Sequence, residues 1–294
     1  MTPLELVQLP PLMALTSGSE EIVVALLDGP VVLDHPDLLS ARIHDIPGGV
    51  GGRCRQASSS AGQHGTFVAG ILSARRGSAA PAICPGCSLL VRPIFPEEMT
   101  EGELLPSATA QQLAAAIGDC VAAGARVLNL SAAMSSPSTR DERQLRDALD
   151  YAARCGVLVA AAAGNQATLG SSAITRHPWV IPVVGYGLTG RPMAQSNLGS
   201  SMGRRGLGAP GEEVTSLSPR GAPRTLAGTS FATAFVTGAI ALLWSMFPAA
   251  AAIEVKHAIT TTCPRRRTSV VPPLLNAWAA YSILSRTQPR KATA

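Results

Sequence analysis

Charged and aromatic residues are both scarce in this chain, and each shortage excludes something. Of 294 residues only 15% are Asp, Glu, Lys or Arg while 46% are hydrophobic, a balance that excludes a disordered polyelectrolyte and suits a globular domain with a sizeable core. Lysine occurs only at Lys256 and Lys291, so nearly all the positive charge is arginine. Aromatics number eleven, and none forms a stacking stripe with the arginines, so no nucleic-acid partner is expected. A secretory signal is missing too: the first fifteen residues have no basic n-region, contain Glu5 and are broken by Pro3, Pro10 and Pro11. The longest apolar stretch, 230–246, reads as buried core rather than a membrane span, so no membrane partner is expected.

Cysteine is present without a framework. Cys54, Cys84, Cys87, Cys120, Cys155 and Cys263 would allow three disulfides by arithmetic, but without a secretory signal reduced thiols and a cytoplasmic location are the default. Cys84-Pro85-Gly86-Cys87 is half of a zinc-ribbon pattern with no second pair, so it reads as a turn, ahead of a local disulfide and of zinc. Cys120 and Cys155 sit in apolar helical contexts and read as core. Net charge is +5, concentrated at Arg265-Arg266-Arg267 and over 286–291; a solvated surface and frayed tail is the plainer reading, a docking site for an acidic partner the other.

Three short motifs carry chemistry: Leu27-Asp28-Gly29, His64-Gly65-Thr66 and Gly228-Thr229-Ser230. A serine hydroxyl is a poor nucleophile at neutral pH. A neutral imidazole must take its proton, and a buried carboxylate must fix the imidazole tautomer and stabilise the imidazolium. Asp28, His64 and Ser230 supply these groups, which makes a serine hydrolase the leading reading. Asp34 and Asp37 are the rival carboxylates, but they fall in a polar turn beyond the strand. His35, His44 and His177 read as turn or loop residues and His257 as helical, none with the flanking glycine of His64.

Periodicity predicts buried strands over 21–27, 88–94, 125–130, 157–163 and 180–184, and helices over 64–74, 109–123, 140–154 and 230–246. Their alternation implies an α/β fold with a doubly wound, mostly parallel sheet. Asp28 and Asn165 then fall at the carboxyl ends of strands, where such sheets bind ligands.

The motif surroundings resemble those of the subtilases, the subtilisin-like serine proteases of peptidase family S8. The resemblance runs over 20–262 and rests on the two glycine-rich turns, on Ala161-Ala162-Ala163-Gly164-Asn165, on Ala209-Pro210-Gly211, and on the order Asp, His, Ser. It implies a three-layer subtilisin-like architecture in which Asn165 and the Ser230 N–H form the oxyanion hole. It also implies that a substrate strand lies beside Leu130, Ser131, Ala132, Ala133 and Met134, with Ala162, Ala163 and Gly164 as the opposite wall. Alanines where relatives commonly have glycine narrow the primary pocket, so a small or unbranched residue before the scissile bond is expected. Asp37 matches a family calcium ligand, but the loop Ala74-Arg75-Arg76-Gly77-Ser78-Ala79-Ala80-Pro81 offers no Asp, Asn or Glu; no metal or other cofactor is expected.

Within the family, Leu26-Leu27-Asp28-Gly29-Pro30-Val31, the 85–95 stretch and Phe231 after the serine resemble proteases that process cyanobactin-type precursor peptides. Ala234 stands where the family usually has proline, at the first turn of the serine's helix, and should be tolerated. The resulting expectation is a catalytic domain over 21–280 between an N-terminal extension (1–20) and a basic tail (281–294). It would hydrolyse peptide bonds, removing the leader of a ribosomally made precursor, without macrocyclisation. A general degradative subtilase and a catalytically silent peptide-binding fold are the alternatives.

Overall fold

The computed structural model describes residues 1–46, 54, 56–97, 108–131, 139–262 and 269–288. A seven-stranded sheet, every pairing parallel, is built from β1 (Val23–Asp28), β2 (Arg42–Asp45), β3 (Ser88–Pro93), β4 (Val127–Leu130), β5 (Leu158–Ala162), β6 (Val180–Tyr186) and β7 (Leu207–Pro210). Its order is β2-β3-β1-β4-β5-β6-β7, and β8 (Val214–Ser216) and β9 (Arg224–Leu226) form a separate antiparallel hairpin. The helices are α1 (Pro3–Leu6), α2 (Pro10–Leu15), α3 (Ser60–Ser73), α4 (Ala110–Ala122), α5 (Thr139–Arg154), α6 (Ala173–Arg176), α7 (Ser200–Arg205), α8 (Thr229–Met246), α9 (Ala252–Thr260) and α10 (Ala277–Thr287).

Side chains alternate across a strand, and β1 shows what that does here. Val24 and Leu26 enter the core beneath α3 and α8, while Ala25 and Leu27 enter the core beneath α4 and α5. Both faces are covered, so the strands are continuously apolar, as the sequence pattern requires. The chain leaves β1 toward β3 on one side and returns to β4 on the other. The carboxyl end of β1 is therefore a switch point where a crevice opens, and Asp28 stands there.

All eighteen residues of α8 are buried, which accounts for its membrane-like composition: it is the central helix of the fold, packed on the sheet and α3. α3 starts at Ser60, four residues before the predicted start. The Ser59 hydroxyl caps it by accepting the Gly62 N–H, so His64 lies one turn inside the helix. The short strands β2, β7, β8 and β9 lacked a sequence signal long enough to detect; His44, expected in a loop, lies on β2.

The prolines that interrupt the N-terminal segment in sequence start helices in the structure. Pro3 and Pro10 stand at the first helical positions of α1 and α2, where no N–H is needed. Val7, Leu9 and Leu12 are fully buried, and the Val7 carbonyl accepts the Ala277 N–H at 3.0 Å. α10 crosses position 280 and buries Tyr281 and Leu284, so the chain as far as 287 is folded against the core rather than frayed. Cys120 is buried as expected but Cys155 is exposed, because α5 ends at Arg154 and the chain turns away at Gly156 (φ +69°). Cys84 to Cys87 is a turn closed by the Cys87 N–H on the Cys84 carbonyl at 3.0 Å; both thiols are free and buried.

Candidate active site

Asp28 ends β1 with no exposed surface. Its Oδ1 accepts hydrogen bonds from the Gly29 N–H and from His64 Nδ1, both at 2.6 Å, and its Oδ2 is buried without a partner among the described residues. The two motif glycines make this pair geometrically possible. A Cβ on Gly29 would lie 2.0 Å from the Ala61 carbonyl oxygen, and one on Gly65 would lie 2.3 Å from the Gly29 carbonyl oxygen. Only bare backbone lets α3 ride this closely on the chain leaving β1.

With Nδ1–H committed to the carboxylate, the neutral ring presents an unprotonated Nε2 as its basic atom. Burial is the largest influence on this imidazole and disfavours its charged form. The Coulomb attraction of Asp28 and the hydrogen bond to it together outweigh burial and raise the pKa above the ordinary 6.5. The ring packs near Phe231 (centroids 5.3 Å apart), which packs in turn on Phe67 at 4.4 Å.

Ser230 is the second residue of α8, behind the N-cap Gly228, and is 7% exposed. The first N–H groups of a helix have no partner within it and favour negative charge. The Gly228 N–H donates to the Gly211 carbonyl at 2.8 Å, and the Gly211 N–H to the Tyr186 carbonyl at 2.8 Å, so the Ala209-Pro210-Gly211 motif moors the serine turn to β6.

Asn165 is locked to the same turn. Its Oδ1 accepts the Thr229 N–H at 3.0 Å while the Gly164 N–H donates to the Thr229 hydroxyl at 3.2 Å. This leaves the Asn165 Nδ2 without a hydrogen-bond partner among the described residues, at the wall of the catalytic cleft. Asn197, which drew no notice in the sequence, braces the loop on either side of it. Its Oδ1 accepts the N–H groups of Gln166 (2.9 Å) and Thr168 (3.1 Å), and its Nδ2 donates to the Ala163 carbonyl (3.1 Å) and to Gln166 Oε1 (2.7 Å). Its own N–H donates to the Gly164 carbonyl at 2.9 Å, and Gly164 holds φ at +103°, a conformation that favours glycine.

His64, Ser230 and Asn165 share one cleft of about 290 Å³. Of the predicted walls, Ser131, Ala162 and Gly164 line it. Leu130 and Ala163 do not: Leu130 is part of the core beneath α4 and α5, and Ala163 packs with Val184, Tyr186 and Met202. Ala132, Ala133 and Met134 lie outside the described residues. Ser131 is braced from beneath by a buried chain in which Thr237 donates to Asn129 Oδ1 and Asn129 Nδ2 donates to the Ser131 hydroxyl, both at 2.9 Å. Ser60, Phe95 and Gln166 also line the cleft and were missed. Phe95 had a weak signal: it follows β3, whose end runs beside Asp28, with the Ile94 N–H on the Asp28 carbonyl at 2.8 Å.

The rival carboxylates and histidines lie elsewhere. Asp37 pairs with Arg75 at 3.0 Å, so a guanidinium occupies the one carboxylate that resembles a calcium ligand; the described residues contain no cluster of three or more metal-ligating side chains. His177 pairs with Asp150 at 3.1 Å.

A buried carboxylate, an oriented imidazole and a helix-borne serine, met in that chain order on a parallel sheet, define the subtilisin class of serine hydrolases. The chain belongs to the subtilase family, whose model matches residues 19–280. Among curated relatives, subtilisin BL of Lederbergia lenta is 31% identical over 247 residues, 82% of each chain. Subtilisin amylosacchariticus of Bacillus subtilis subsp. amylosacchariticus is 27% identical over 245 residues; these are 82% of this chain but only 60% of the length of that relative. Among solved structures, the protease domain of PatA (29% identity, TM-score 0.80) covers 92% of this chain and 97% of its own. The prenylagaramide maturation protease PagA (29%, TM-score 0.80) covers 94% and 98%. The PatG macrocyclase domain, 20% identical with a TM-score of 0.78, shares the fold.

Proposed function

We propose that this protein is a serine endopeptidase that removes the leader from a ribosomally made precursor peptide by hydrolysis, in the cytoplasm. The observation that carries the proteolytic reading is the 2.6 Å bond between the fully buried Asp28 and His64 Nδ1, in one cleft with Ser230 and Asn165. Ser230 Oγ attacks the scissile carbonyl as His64 Nε2 takes its proton. The Asn165 Nδ2 and the Ser230 N–H hold the developing oxyanion, and His64 returns the proton to the departing amine. A water activated by the same imidazole then releases the acyl group. Asp28 holds the imidazole in place and stabilises the imidazolium that forms.

The precursor-peptide reading is supported by the likeness to PatA and PagA, which are described as maturation proteases. The cytoplasmic placement is supported by Cys84 and Cys87, which lie buried as free thiols within one turn.

Intact-mass analysis of precursor peptides and unrelated unfolded proteins, incubated with wild type and with Ser230→Ala, tests this. Cleavage of a precursor at one bond, reduced about 10⁶-fold in the variant, is the expected result. Ser230-dependent cleavage at many bonds in unrelated proteins favours the degradative reading, and no cleavage at all favours the silent peptide-binding fold.

A further inference from the structure

We propose that the side of the cleft receiving the departing half of the peptide is a carboxylate-binding subsite, selecting Asp or Glu at the second to fourth residue after the cleaved bond. This deepens the proteolytic reading and rests on it. A second cavity, of about 480 Å³, is lined by Gln56, Ala57, Ser58 and Gln63 from the entry to α3 and by Ser218, Arg220 and Arg224 from the β8–β9 hairpin. None of these residues comes from the ends of β4 and β5, which supply Ser131 and the Ala162 and Gly164 wall on the acyl side.

Two connections place this cavity relative to the chemistry. Gln63 immediately precedes His64, the group that delivers a proton to the departing amine, and the departing chain leaves past that imidazole. Arg224 begins β9, which leads in three residues to Ala227 on the wall of the catalytic cleft, a span of at most about 10 Å of extended chain. A peptide bound as a strand advances about 3.3 Å per residue, so its second to fourth residues beyond the bond come level with Arg224.

The charge on this flank is unspent. Arg224 donates one guanidinium N–H to Gln63 Oε1, and Gln63 Nε2 is anchored on the Ser58 carbonyl at 2.8 Å, which leaves the rest of the Arg224 fork for a ligand. The Ser218 hydroxyl donates to the Arg220 carbonyl at 2.9 Å, shaping the hairpin tip with Gly221 at φ +81°. Among the described residues neither Arg220 nor Arg224 pairs with a carboxylate. Glu97, which reaches this flank, accepts the Gln56 N–H at 2.9 Å and does not line the cavity. Among the described residues, the lining of the catalytic cleft carries no charged side chain except a protonated His64, whereas this second cavity carries two arginines. Arginine suits the task because its planar fork matches a carboxylate.

Peptides sharing one acyl half, with Glu, Gln or Lys at the second, third or fourth position after the bond, decide the matter when kcat/KM is followed by mass spectrometry. The expected order is Glu over Gln over Lys, about two- to fivefold at each step at low salt and shrinking as salt rises. Arg220→Glu with Arg224→Glu should reverse the order, a result that only a folded enzyme can give, and Arg220→Ala with Arg224→Ala should level it. Equal rates for the Glu and Gln peptides in wild type, or a preference that survives both double variants, overturn the subsite. If no peptide of any charge is cleaved, the proteolytic reading fails instead. Fluorescence anisotropy of the same peptides on Ser230→Ala then decides the subsite alone, and equal binding of Glu and Gln peptides would overturn it.

Discussion

The two halves of the active site are held by different means. Asp28 and His64 are fixed by regular structure: a strand end in the middle of the sheet, a helix pressed against it through bare glycine backbone, and burial that leaves the carboxylate one charged partner. Asn165 lies in an exposed loop whose shape depends on side-chain hydrogen bonds, most of them from Asn197. The proton-transfer half is therefore rigid by packing, where any change reaches the core. The oxyanion half is rigid by polar contacts, which can be removed one at a time.

Substitutions sharpen this contrast in order of size. Asp28→Asn should lower kcat by about 10⁴-fold, since the amide cannot stabilise the imidazolium and favours the wrong tautomer. It should also change the pH profile. In wild type, kcat/KM should rise with pH through a value above 6.5, because His64 must be neutral to act and Asp28 raises its pKa. In Asp28→Asn that acid limb should move to lower pH. The same raised pKa means that the imidazolium pairing stabilises the fold fully below the ordinary histidine pKa and is lost as pH rises through the folded value, which urea unfolding across that window would show.

Asn165→Ala should lower kcat by about 10² to 10³-fold with little change in KM, because the donor serves charge that develops only near the transition state. Asn197→Ala should cost less, about tenfold or more in kcat, through misplacement of Asn165. In the Asn165→Ala background the second substitution should add almost nothing to kcat, and a full multiplicative loss in the double variant would show that Asn197 acts independently of the oxyanion donor. If the contrast between the halves is right, Asn197→Ala should leave the His64 acid limb where it is.

The triad was legible in sequence because each motif encodes its own backbone requirement. Glycine after Asp28 and after His64 permits the close approach, and Gly228 caps the serine's helix. The long strands and helices were legible because both faces of the sheet are covered, which leaves continuous apolar runs. Four short strands, the polar brace Asn197 and the wall residue Phe95 were not. An Asn in a polar loop looks like any other loop residue until the chain folds back on it, and three- or four-residue strands at an edge carry too little periodicity. The two short N-terminal helices were not legible for a related reason: proline interrupts a helix from within but starts one at its first position, and only the following turn tells which.

The amino-acid sequence by itself determined the chemistry available and the order in which it occurs: an acid, a base, a nucleophile and an amide donor, each embedded in a turn that local steric rules can recognise. The tertiary structure alone decided which groups meet. It placed β1 between β3 and β4, so that Asp28 faces His64 while Asp37 is taken by Arg75, and it folded the β8–β9 hairpin and the entry to α3 into a basic cavity beside the catalytic pair. Local turns depend on neighbouring residues, whereas encounters between distant segments depend on the order and packing of the whole sheet.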